Sequence, residues 1–195
     1  MNARMARFIA VAAVLLLSIT SARCQIVING GFESGSFSPW NLLSDPEGGT
    51  NTFVSAGAGG ITPFGGSFFA TFSNHASNIS GFSQSLTTTP GQTYALSYWF
   101  TTSVGSDLSN EFKVTWNGTT VSDLIGFSSL GAVWTNRTFF VTGTGTDLLT
   151  FSGYQNSGYN GLDAVSLVAV PEGASTTMLF LGLAALAVAR RRRAS

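Results

Sequence analysis

Two stretches of this sequence carry side chains suited to holding a sugar. Pyranose rings present flat C–H patches that pack on aromatic faces, while their hydroxyls need polar partners nearby. Gly153 to Asn160 reads Gly-Tyr-Gln-Asn-Ser-Gly-Tyr-Asn and sets Tyr154 and Tyr159 beside Gln155 and Asn156. Trp99 is the sharper candidate, because along Tyr94 to Thr101 it alternates away from Tyr98 and Phe100. Each has a plainer role as well. Tyrosines in such a loop hydrogen-bond within it, and sandwich domains bury most of their tryptophans, so Trp40, Trp116 and Trp134 are expected in the core.

The same inventory argues against catalysis. His75 is the only histidine, so a histidine-based metal site is out of reach and a Ser-His-Asp triad would have to pass through it. No Gly-x-Ser-x-Gly elbow occurs, and the acidic residues are scattered without a paired-carboxylate motif. A non-enzymatic protein is expected. Residues 25–169 carry Lys113 and Arg137 against eight acidic side chains, a formal net charge of −6. Such a domain has no electrostatic footprint for nucleic acid. The neutrality of the whole chain arises because the other basic residues sit at its two ends.

Those ends address the chain. Arg4 and Arg7 precede an apolar stretch from Phe8 to Leu17, followed by small residues, which predicts a secretory signal peptide over residues 1–24 and passage through the secretion translocon. Cleavage is expected after Ala22 or after Cys24. Arg23 departs from the small residue that precedes a lipoprotein acylation cysteine, and a cut after Cys24 leaves the mature chain without a thiol. At the other end, Val170 to Gly173 reads Val-Pro-Glu-Gly and leads into uncharged residues 173–189, then Arg190, Arg191, Arg192 and Arg193. As a helix that run would span about 25 Å, a short but usable bilayer crossing, with the membrane helix at about 174–189. Arginines beside so short a span stay in the cytoplasm, leaving the rest of the chain outside. A buried C-terminal helix of a soluble domain is the alternative, though core helices rarely end in four arginines.

The order of a short Pro-Glu motif, a hydrophobic span and a terminal arginine cluster over residues 170–195 resembles the PEP-CTERM sorting signal of bacteria that make extracellular polysaccharide. Gly173 stands where that family has a second proline. The resemblance implies recognition and processing by an exosortase at the motif 171–173. It implies inner-membrane anchoring before processing, then residence at the cell surface, in the outer envelope or in the extracellular matrix.

The intervening domain, residues 25–169, must be built from short strands. Tyr94 to Thr101 alternates strictly, and Phe112, Val114 and Trp116 repeat that period before Asn117-Gly118, a hairpin dipeptide. Pro90-Gly91 is a further turn, and strands are expected over 26–28, 51–55, 67–72, 81–86, 134–141, 148–151 and 162–168. Ala56 to Gly66 reads as a long glycine-rich loop. No sustained helical period occurs, so the fold class is all-β, an antiparallel β-sandwich of about ten strands, most simply a jelly roll.

Asn29-Gly30-Gly31-Phe32-Glu33 with Trp40, Gln84-Ser85-Leu86 with Pro90 to Tyr94 and Leu96 to Trp99, and the closing Leu162-Asp163-Ala164-Val165-Ser166-Leu167 together resemble the galactose-binding-like jelly rolls that include many carbohydrate-binding modules. The resemblance implies a structural calcium held by Glu33 and Asp163 with loop carbonyls, since calcium takes six to eight oxygens. Ala164 replaces an acidic residue usual in that family. Without a metal, Glu33 would cap a turn and Asp163 would bond backbone amides. The combined expectation is an exported, non-enzymatic surface or matrix protein that binds extracellular polysaccharide. The alternative is a structural or adhesive surface protein that binds no glycan and is held by its membrane anchor.

Overall fold

The computed structural model of the chain describes residues 26–43, 52–73, 79–103, 110–127 and 130–171. The signal peptide, His75, Glu172, Gly173, the expected membrane helix and Arg190 to Arg193 lie outside the described residues, while Pro171 is exposed at their end. No described segment is a helix long and apolar enough to cross a membrane.

Ten strands follow one another: β1 (Asn41–Leu42), β2 (Thr52–Ser55), β3 (Phe69–Phe72), β4 (Ser80–Thr87), β5 (Thr93–Thr102), β6 (Asn110–Trp116), β7 (Thr119–Ile125), β8 (Thr135–Thr142), β9 (Thr146–Gln155) and β10 (Asn160–Ala169). They form two five-stranded sheets, β1-β4-β9-β6-β7 and β2-β3-β10-β5-β8. Every pairing is antiparallel. The all-β sandwich anticipated from the alternation is therefore formed.

The alternation also decides what lies between the sheets. Tyr94, Leu96, Tyr98 and Phe100 of β5 point inward and meet Phe112 and Val114 of β6 and Leu149 and Phe151 of β9, all buried. Aromatic rings dominate this core. Trp40 and Phe82 meet edge to face at 5.4 Å and 83°, and Tyr98 meets Phe151 at 5.3 Å and 81°. Such pairs add about 0.5–1.5 kcal/mol each beyond area burial.

Ile26 to Ile28, expected as a strand, lies outside the sheets. The side-chain amide of Gln84 takes the place of a ladder partner there: its Oε1 accepts from Ile28 N, and its Nε2 donates to Ile28 O, both at 2.9 Å. The segment then crosses a β-bulge in β10 between Asp163 and Ser166, where Val165 N donates to Gly30 O at 2.8 Å. A Cβ on Gly30 would stand 2.0 Å from Val165 O, so only glycine fits this crossing. Ala164 takes a left-handed conformation at φ 49° in the bulge. The extra residue lets Asp163 face outward while Val165 and Leu167 reach the core.

Candidate functional site

Trp99 faces outward from β5, as its alternation requires, but its ring is not bare. The chain between β2 and β3 folds back over the second sheet and lays Phe64 flat on Trp99, with centroids 3.8 Å apart and planes at 16°. Trp134 flanks the pair, edge-on to Phe64 at 6.3 Å and perpendicular to Phe69 at 5.8 Å. Its Nε1 donates to Thr62 O at 3.0 Å. Ile61 and Phe69 are buried beneath. An outer sheet face bearing Phe69, Trp99 and Trp134 would expose a large apolar patch, which is why the long loop packs here. Trp40 and Trp116 lie in the core as expected, whereas Trp134 is half-buried in this outer cluster. Phe64 remains 42 % exposed and presents the solvent-facing ring.

Two carboxylates hold the loop in place. Asp163 Oδ2 accepts from the backbone N–H groups of Phe64 (3.0 Å) and Gly65 (3.1 Å), and its Oδ1 accepts from Ala164 N at 2.6 Å. Glu33 accepts from Ser67 N through both oxygens, at 3.1 and 2.9 Å, and from Phe68 N at 3.1 Å. Burial pushes the Asp163 carboxyl above its ordinary range, opposed by the three amides and reinforced by the nearby Glu33 charge. Gly66, at φ +65°, passes so close to Glu33 that a Cβ would lie 2.3 Å from the carboxyl carbon.

The pair implied for calcium is thus brought into one neighbourhood. Its donor chemistry is another matter. A calcium ion needs oxygens turned toward it, yet the loop turns N–H groups toward both carboxylates, and their oxygens are occupied by those donors. Among the described residues no group of three or more metal-ligating side chains gathers. As arranged, Glu33 and Asp163 do not fit a calcium ion and serve as amide acceptors.

The tyrosine loop does not converge with Trp99 as one site. β9 extends through Gln155, whose side chain turns inward and is buried, with Oε1 lacking a partner. Alternation places Tyr154 on the outer face of the first sheet, across the sandwich from Trp99. Tyr159 lies on the second sheet's side, half-buried and edge-on to Phe53 at 5.7 Å. Its backbone N–H donates to Ser103 Oγ at 2.7 Å. Asn156 is half-buried between these tyrosines. Sequence reasoning missed Phe64, because a lone phenylalanine in a glycine-rich loop shows no period. The one available signal was the outward Trp99, which needed a covering partner.

No family model and no curated protein matches the chain. Solved structures do. A family 61 carbohydrate-binding module in complex with β-1,4-galactotriose superposes with a TM-score of 0.57 at 22% identity, over 75% of this chain and 99% of that one. The domain has the jelly-roll fold of carbohydrate-binding modules. The xylan-binding CBM22-1 domain of Paenibacillus barcinonensis Xyn10C gives 0.56 at 18% identity, over 78% of this chain and 98% of that domain. The enzymatically active domain of a bacteriophage CBA120 tailspike gives 0.52 at 15% identity, but only 21% of that chain is covered.

Proposed function

We propose that this is an exported, non-enzymatic surface or matrix protein whose sandwich binds extracellular polysaccharide through Phe64, backed by Trp99 and Trp134. One observation carries the reading: a phenylalanine ring 42 % exposed and laid flat on a tryptophan. A purely structural domain gains stability by burying such a ring. This one is held out by two carboxylates that fix the backbone beneath it. The flat apolar face suits the C–H face of a pyranose, and the carbohydrate-binding-module fold supports the same class of ligand.

In this reading the signal peptide at 1–24 directs export, the helix at about 174–189 with Arg190 to Arg193 anchors the chain in the inner membrane, and an exosortase acts at Pro171, Glu172 and Gly173. The test is affinity electrophoresis of the exported chain through gels containing the host's extracellular polysaccharide or neutral galactan and xylan. Retardation by at least one polymer is the expected result. Unchanged mobility in all of them would favour the structural or adhesive surface protein instead.

A further inference from the structure

Phe64 has a counterpart on the same outer face. Trp99, on which it lies, is the register partner of Asn136, and four positions further along β8 Phe140 stands opposite Ala95. Strand alternation turns Trp99, Ser97 and Ala95 of β5 outward and, with them, Asn136, Thr138 and Phe140 of β8. Phe140 is 71 % exposed, more than any other large apolar side chain among the described residues. At about 3.3 Å per residue, the Asn136 and Phe140 positions are about 13 Å apart along the strand.

The ground between the two rings is polar and uncharged. Halfway along it, Ser97 pairs with Thr138 on one side and with Ser166 of β10 on the other, which sets three hydroxyl side chains in a row across three strands. Thr138 Oγ1 donates to Asn136 Oδ1 at 3.2 Å, and Asn136 Nδ2 donates to Tyr98 O at 3.2 Å. These bonds fix the Asn136 amide and leave the Thr138 oxygen free to accept. The Ser97 and Ser166 hydroxyls have no hydrogen-bond partner among the described residues. Arg137, opposite Tyr98, turns to the inner face, and none of the outward residues of β5 from Thr93 to Trp99 or of β8 from Asn136 to Thr142 is charged.

We infer that Phe64 and Phe140 are the two ends of one platform, which holds a contiguous stretch of a neutral polysaccharide laid along β5 and β8. A lone exposed ring is ordinary on a protein surface. Here a second ring shares the face of the first, and free hydroxyls lie between them, so the apolar and polar contacts that a sugar chain needs alternate along one line. The separation exceeds the width of a single pyranose ring, so only an oligomer touches both ends. Neutrality follows from the strip itself: a chain of uronic acids would bring carboxylates over ground that offers no cation, inside a domain whose own charge is −6 over residues 25–169. The inference rests on the polysaccharide-binding reading above, and adds to it the length and charge class of the ligand.

The experiment is calorimetric titration of the exported chain with galactan and xylan oligosaccharides, from single sugars to hexasaccharides, and with polygalacturonate. Wild-type affinity should climb with chain length and level off once both rings are spanned. Phe140→Ala should keep its melting temperature, since the ring is exposed, and bind the shortest ligands as the wild type does. It should bind hexasaccharides about tenfold more weakly, the loss of one stacking contact. Polygalacturonate should bind more weakly than the neutral chains. Hexasaccharide binding that is equal in Phe140→Ala and wild type, or an affinity independent of length, would overturn the platform and leave the Phe64 reading in place. Polygalacturonate bound as tightly as the neutral chains would overturn the charge class. Wild type that binds no oligosaccharide or polymer would overturn the polysaccharide reading itself, and the platform with it.

Discussion

Asp163, at the bulge of β10, accepts the backbone N–H of Phe64 at 3.0 Å across 99 positions of sequence. This bond links the last strand to the tip of the longest described loop. A buried acid determines where an exposed aromatic ring sits.

Asp163→Ala should therefore cost about 2–4 kcal/mol, because three backbone N–H groups lose their acceptor at a buried position. Thermal unfolding reads the loss. Asp163→Asn should be milder, since its amide oxygen still accepts one or two of these bonds. A melting temperature unchanged in Asp163→Ala would mean that the loop is held by its apolar contacts alone.

Calcium and chelator should leave the melting temperature of the wild-type chain unchanged. An ion that bound only the folded state at a hundred times its dissociation constant would add about 2.7 kcal/mol, a shift easily seen by calorimetry. Such a shift, abolished in Glu33→Gln, would show that the amides yield to the metal.

Acid stability should depend on Asp147. Burial pushes this carboxyl up, but hydrogen bonds from Thr144, Thr88 and Asn117 outweigh it and hold the group at about 2, below the ordinary 3.8. A depressed folded-state value stabilises the fold above pH 3.8, and that contribution disappears as pH falls toward 2. The wild-type melting temperature should fall over this window. Asp147→Asn should start lower and change less across it.

The framework of the sandwich was legible because strict alternation in β5 and β6 and the Asn117-Gly118 hairpin are local signals. Glu33 and Asp163 stand close enough for the charge of one to act on the other. Their partners did not follow from type. A carboxylate can accept amides or ligate a cation, and only the direction of the loop's N–H groups decides between them. The Tyr98 and Arg137 pairing depends on the β5–β8 register, which no local pattern encodes. The inward turn of Gln155 similarly follows from β9 continuing two residues past Gly153, where the loop was expected to begin.

Export and sorting make a separate prediction. Replacing Arg190 to Arg193 with serine should remove the cytoplasmic stop and shift the chain from the inner-membrane fraction to the medium without processing at 171–173. Fractionation with mass analysis of the mature C-terminus measures this. A variant still retained and cut like the wild type would show that the arginines play no part in sorting.

The central claim is that Phe64 carries polysaccharide binding, and it is tested most directly by affinity electrophoresis of wild type and Phe64→Ala, with melting temperatures recorded alongside. The expected result is loss of retardation in Phe64→Ala with a stability cost of about 1 kcal/mol or less, because the ring is already partly exposed. Retardation equal to wild type in the folded variant would contradict the claim.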